Sequence, residues 1–174
     1  MIDALMARFE QIPGARVGRG IEHPASPDAS EAGRLTEFLS SYRFLRADSS
    51  YEEFLMKYGG AYIENEEATQ IIDILGFSDV STDIIEMDGS IVSGDGYLVF
   101  AQCIYHIVSE RGLEDTQEHD FAFDATGERK PGVYGLYGDS HQEHNEFEWR
   151  YDNFADWLAD LVAQDAKLSP PAPK

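Results

Sequence analysis

The chain has 174 residues, a length that suits one domain. It carries 33 Asp and Glu against 13 Lys and Arg, a formal net charge of −20, and that charge excludes direct binding to nucleic-acid phosphates and to anionic membrane surfaces. An aromatic fraction of 12% is too high for an acidic disordered chain, so a folded core is expected.

Cys103 is the single cysteine, so no internal disulfide forms, which suits a reducing compartment. The start, Met1 to Leu5, has neither a basic cluster nor a continuous apolar run. A signal peptide and a membrane span are therefore not expected, and the expected location is cytoplasmic.

Taken in chain order, Ile2, Leu5, Met6 and Phe9 fall at helical spacing and predict a short amphipathic helix that stops near Pro13-Gly14. Residues 14–30 are rich in Gly, Pro, Ala and Ser and read as a loop. Leu35, Phe38, Leu39 and Tyr42 predict a second helix, with Ser30 as a candidate cap. A third carries the stripe Tyr51, Phe54, Leu55 and Tyr58, with Ser50 and Glu53 at capping-box spacing and Gly59-Gly60 as its stop.

The pattern then changes to strands. Ala61–Ile63 is a candidate strand, and the apolar run between Gln70 and Gly76 fits a strand or a short helix. Asp88-Gly89 and Asp95-Gly96 are hairpin-turn dipeptides. Tyr97–Phe100, Ile104–Val108, a short Phe121–Phe123 and Val133–Tyr137 read as further strands. Phe147, Trp149 and Tyr151 alternate with Glu146, Glu148 and Arg150, the pattern of a strand with one buried and one wet face. A last helix presents Phe154, Trp157, Leu158 and Leu161 on one side, with Asp152 or Asn153 as cap. Helices, then several short strands, then a helix give an α+β fold with a mostly antiparallel sheet, flanked by N-terminal helices and a C-terminal helix. The organisation is an N-terminal helix and loop at 1–27, a domain at 28–166 and a disordered tail at 167–174.

Catalytic and metal motifs are weak. His141 and His144, with Glu143 and Glu146 near, match neither order of the zincin motif and read as a polar turn. His119 reads as a loop residue. Cys103, with His106 three residues on, sits in negative surroundings and reads as a buried inert thiol. No catalytic residue, metal or cofactor is expected.

What stands out is the interval between Lys57 and Arg111. It holds no Lys or Arg but contains Glu64, Glu66, Glu67, Asp73, Asp79, Asp83, Glu86, Asp88, Asp95 and Glu110. Such a block makes a negative field that attracts cationic partners.

The segment Tyr51 to Gly60 (YEEFLMKYGG) resembles the helix-and-glycine-turn signature of the SMI1/KNR4 (SUKH) superfamily. Leu98–Phe100, Asp120–Asp124, Gly132–Tyr134 and Asn153–Leu158 fall in the family's order, and the likeness covers residues 28–163. The chain departs from the pattern at Leu45-Arg46, where the family usually has Leu-Pro, and at Tyr58, where an asparagine often precedes the glycine pair.

The resemblance implies a small α+β domain without a catalytic motif. In bacteria such domains are mostly immunity proteins that bind a cognate polymorphic toxin, often a nuclease. The expected partner is thus a basic toxin protein, with no nucleic acid and no membrane, and the oligomeric state is open. Glu64, Glu66, Glu67, Asp79, Asp83, Glu86, Asp88 and Asp95 are the expected acidic contacts, with Tyr62, Phe77 and Met87 as apolar anchors. The alternatives are a regulatory interaction module unrelated to toxins and, third, a hydrolase with a carboxylate site.

Overall fold

The computed structural model describes residues 1–18, 29–43, 45, 48–66, 69–76, 92–108, 114–139 and 146–168. Seven strands, β1 (Ala15–Val17), β2 (Ala61–Glu64), β3 (Gln70–Ile74), β4 (Tyr97–Val108), β5 (Glu114–Asp124), β6 (Val133–Asp139) and β7 (Glu148–Tyr151), form one sheet in chain order. Every strand pairs antiparallel with the next. Four helices, α1 (Ile2–Phe9), α2 (Ala29–Ser41), α3 (Ser49–Lys57) and α4 (Phe154–Ala163), share a single apolar core with one face of this sheet. The α+β class and the antiparallel sheet expected from the sequence are what the structure has.

The helices form where apolar residues recur at helical spacing, and those residues are the ones buried: Ile2, Met6 and Phe9 of α1, Tyr51, Phe54 and Leu55 of α3, and Phe154, Trp157, Leu158 and Leu161 of α4. Phe100 is the hub of the core. Tyr51, Phe123, Phe154 and Trp157 all lie within 4.6–5.6 Å of its ring centroid.

Several elements differ from the sequence expectation. Residues 15–17, read as part of a loop, are the edge strand β1. Gly14 makes that possible, with φ +81° at a point where its backbone touches the Glu64 carbonyl so closely that a Cβ would collide. The N-terminal segment, set apart in the sequence at 1–27, is built into the common core through α1. Lys57 and the Tyr58 hydroxyl both hold Asp3 of α1, each at 2.9 Å. Ser30 lies inside α2 rather than at its cap. The tail is packed as far as Leu168, which is 4% exposed, and Asp88-Gly89 lies outside the described residues.

The strands expected at 97–100 and 104–108 are one continuous β4, and the short Phe121–Phe123 strand is the last part of β5, so His119 is a buried strand residue and not a loop residue. A β-bulge at Arg150, where β7 places two steps against one on β6, breaks the expected alternation. Trp149 joins an aromatic cluster with Tyr97 and Tyr134 on the far sheet face, while Tyr151 packs on the helix side and donates to Asp160.

The cap of α3 is Asp48, not Ser50. Its Oδ1 accepts from the backbone N–H of Ser50 and Tyr51 at 3.2 and 3.3 Å. Its Oδ2 accepts from the N–H of Phe154, the first residue of α4, at 2.7 Å. The Ser50 hydroxyl, held by Asp48, accepts the N–H of Ala155. One carboxylate therefore satisfies orphan donors of two helices.

Asp48→Ala removes the cap of α3 and the acceptor for the first N–H of α4, while Asn153 still caps α4, and should cost about 1–4 kcal/mol, since one cap is worth about 0.5–2 kcal/mol. Asp48→Asn keeps one acceptor oxygen and should cost less; chemical denaturation of the two variants checks the order. Trp157→Ala should cost about 3–5 kcal/mol as a core truncation.

Candidate functional site

The second sheet face is built by alternation: each strand sends every other side chain away from the helices. Strand register sets these side chains in rows. One row runs Arg16, Tyr62, Asp73, Gln102, Asp120, Leu136 across six strands. The next runs Glu64, Ile71, Ile104, Glu118 across four. Four carboxylates from β2, β3 and β5 thus share two adjacent rows, among the half-buried side chains of Ile71, Ile104 and Leu136. With strands spaced about 4.8 Å apart, Asp73 and Asp120 stand about 10 Å apart on either side of Gln102.

The electrostatics of this patch are one-sided. Arg16 lies 4.6 Å above the Tyr62 ring and approaches Glu64 at 3.8 Å, an exposed and weak pair. Among the described residues no Lys or Arg forms an ion pair with Glu118 or Asp120. Burial raises the Asp120 carboxyl above the usual range; the Gln102 amide opposes that shift and the neighbouring Glu118 adds to it. Asp73 is buried, at 3% exposed.

The other end of the same face has the opposite character. Arg129 lies over Tyr97 at 4.3 Å, and Lys130 sits over the Trp149 ring. Arg129 also pairs with Asp124 at 2.8 Å and donates to the Asp95 carbonyl at 2.9 Å. Burial alone would raise the Asp124 carboxyl, but donors from Arg129 and Thr126 outweigh it and hold it below the usual range.

The predicted site residues divide accordingly. Glu64 lies in the acidic rows and Glu66 in the turn just beyond β2. Asp95 lies at the cationic end, about nine residues along β4 from the row of Glu64 and so about 30 Å away. The structure therefore does not bring it to the other two. Tyr62 is 5% exposed beneath Arg16, with its hydroxyl donating to Glu64, so its ring is not presented as an anchor. Glu67, Asp79, Asp83, Glu86, Asp88, Phe77 and Met87 lie outside the described residues.

Sequence reasoning passed over Glu118 and Asp120, and it counted Asp73 in the acidic interval without making it a contact. Their signal was the alternation Glu118, Asp120 on a strand that the sequence reading made too short.

Other candidate chemistry is occupied. A cleft of about 140 Å³ opens between the starts of α3 and α4 and the turn after β5, but most of its polar lining is engaged: Asp48 and Asn153 cap helices, Asp124 holds Arg129 and Lys130 sits over Trp149, with Asp152 at its edge. Cys103 is fully buried, and burial pushes its thiol up. His141 and His144 lie outside the described residues, and no group of His, Cys, Asp or Glu able to hold a metal ion occurs among the described ones. No described helix is long and apolar enough to cross a membrane. No family model matches the chain, and neither a curated protein nor a solved structure is significantly similar to it.

Because Asp120 binds its proton more tightly in the folded state, its ionisation at neutral pH opposes folding. Asp120→Asn should raise the melting temperature at pH 7, and the gain should shrink as the pH falls toward the ordinary carboxylate range and the wild-type carboxyl takes up its proton. Thermal unfolding across that range checks the sign.

Proposed function

We propose that this chain is a stoichiometric binding protein for a cationic protein partner, of the toxin-neutralising kind that the SMI1/KNR4 resemblance implies. The observation that carries this reading is the second sheet face, where Glu64, Asp73, Glu118 and Asp120 stand in two adjacent cross-strand rows with half-buried Ile71, Ile104 and Leu136 between and beside them. A net charge of −20 adds a long-range field that draws a basic partner in.

In this mechanism the exposed acids act first. Glu64 and Glu118 steer encounter and set the association rate, because charges at the rim of an interface contribute more to rate than to affinity. The half-buried row comes next. A partner Lys or Arg placed over Gln102 would face Asp120, whose carboxylate such a cation would favour, with Asp73 to its other side. A toxin that acts on nucleic acid needs its Lys and Arg for phosphate, so covering them blocks the activity without any chemistry by the inhibitor.

The decisive experiment is co-expression with any basic toxin domain found encoded beside the gene, scored by survival of the host. Protection by the wild-type chain is the expected result, and its absence overturns the toxin-neutralising role. The double variant Glu64→Lys, Glu118→Lys should keep its melting temperature, because both positions are exposed. It should associate with that toxin domain at least about tenfold more slowly at low salt, with a flatter salt dependence. An unchanged association rate would place docking elsewhere.

A further inference from the structure

A second feature lies on the opposite, helix-side face and is independent of the binding surface. The row Ile63, Ile72, Cys103, His119, Tyr137 crosses five strands beneath the helices. All but one of its members suit an apolar core. His119 is 2% exposed, and neither ring nitrogen makes a hydrogen bond of good geometry, the Glu118 carbonyl being the acceptor that approaches it. Its ring is wedged between Tyr105, at 5.3 Å, and Tyr137, at 4.8 Å. A buried polar group without a partner is costly, and a buried cation without an acceptor is far more so.

The groups facing this imidazole offer little to a positive charge. From β4 come Cys103, directly opposite, and Tyr105. From β6 comes Tyr137, and beyond it the guanidinium of Arg150 on β7 lies over the Tyr137 ring at 5.2 Å, a like charge. On the α4 side Asp160 is engaged by the Tyr151 hydroxyl and the Gln164 amide, each at 2.8 Å, and Asp165 stands in the turn that follows the helix. Glu118 and Asp120 belong to the other sheet face. Burial accordingly lowers the affinity of the imidazole for a proton, and the Glu118 carbonyl only partly opposes this.

Tyr105 links this site to a short non-helical segment after α4. Asp165 and Ala166 have φ of +48° and +63°, a conformation unfavourable for residues with a Cβ. The Ala166 carbonyl ties them to the sheet: it accepts from Gln70 Nε2 at 2.6 Å and from the Tyr105 hydroxyl at 3.0 Å. Tyr105 thus touches His119 with its ring and holds the segment with its hydroxyl.

We propose that His119 is an acid-sensitive support for this latch: proton uptake by the imidazole displaces Tyr105, breaks its bond to Ala166 and frees residues 164–168 from the sheet. The direction follows from linkage. The opened state binds the proton more readily than the closed one, so the latch is fully held above about pH 6.5 and loosens as the pH falls below it.

Amide hydrogen exchange between pH 7 and 5.5, corrected for the intrinsic rate, tests this on the full chain. Ala166 and Lys167, whose N–H groups bond Leu161 and Gln164, are the reporters. In the wild type their protection should fall by up to about tenfold per pH unit, the limit for one linked proton. In His119→Leu it should stay level. His119→Gln, which keeps a polar group but cannot titrate, serves if the leucine variant folds poorly. Taking the ratio to either variant cancels the contributions of Asp120 and the other histidines. Equal pH dependence in all three proteins overturns the proposal, as does an imidazole resonance of His119 that titrates at the ordinary histidine value in the folded chain. Loss of protection spread evenly over β4 and β5, rather than concentrated after α4, also overturns the latch.

Discussion

The carboxylate of Asp48 joins two helices whose starts lie about a hundred residues apart in the chain. One oxygen serves the first turn of α3 and the other the first N–H of α4, with Ser50 relaying a further bond to Ala155. Helix ends leave donors that burial would otherwise strand. Meeting that need at both ends with a single side chain fixes where the two helices sit relative to each other. It brings Tyr51, Phe54 and Phe154 into mutual contact over Phe100, so the aromatic core depends on the shared cap.

The sheet beneath that core is a plain meander, each strand returning beside its predecessor. Its irregularities are where side chains are re-aimed. The shift between Val99 and Ala101 turns both Phe100 and Ala101 toward the helices, and the shift at Arg150 does the same for Tyr151. The far face keeps Val99 and Trp149 and divides into an aromatic end carrying Arg129 and Lys130 and an acidic end carrying Glu64, Asp73, Glu118 and Asp120. Among the described residues of this face charge is thus displayed unevenly, and an uneven field orients an approaching cation where an even one would only attract it.

Much of the fold was legible in the chain because helices and strands report themselves by local spacing. Every helix stripe read from the sequence faces the core, and the stop at Gly59, with φ +67°, sits where the glycine pair required it. The candidate site was legible only in part. Glu64 was found because it lies in an interval without cations. Glu118 and Asp120 were missed because β5 continues through the polar stretch Glu114–Asp120, whose residues have little strand propensity of their own and are held by pairing with β4 and β6. Asp95 was grouped with Glu64 because both lie in the interval without Lys or Arg, although strand length carries them to opposite ends of the sheet.

By itself the sequence determined the element types, the α+β class, the apolar faces of the helices and the sign of the field, since each follows from residue spacing or from a sum over side chains. Only the tertiary structure decided which acids share a row, which helix Asp48 serves besides its own, and that a histidine between two acids on a strand lies dry against two tyrosines. Those outcomes depend on antiparallel register, which matches residues tens of positions apart, and periodicity along one strand says which face a side chain takes but not what stands opposite it.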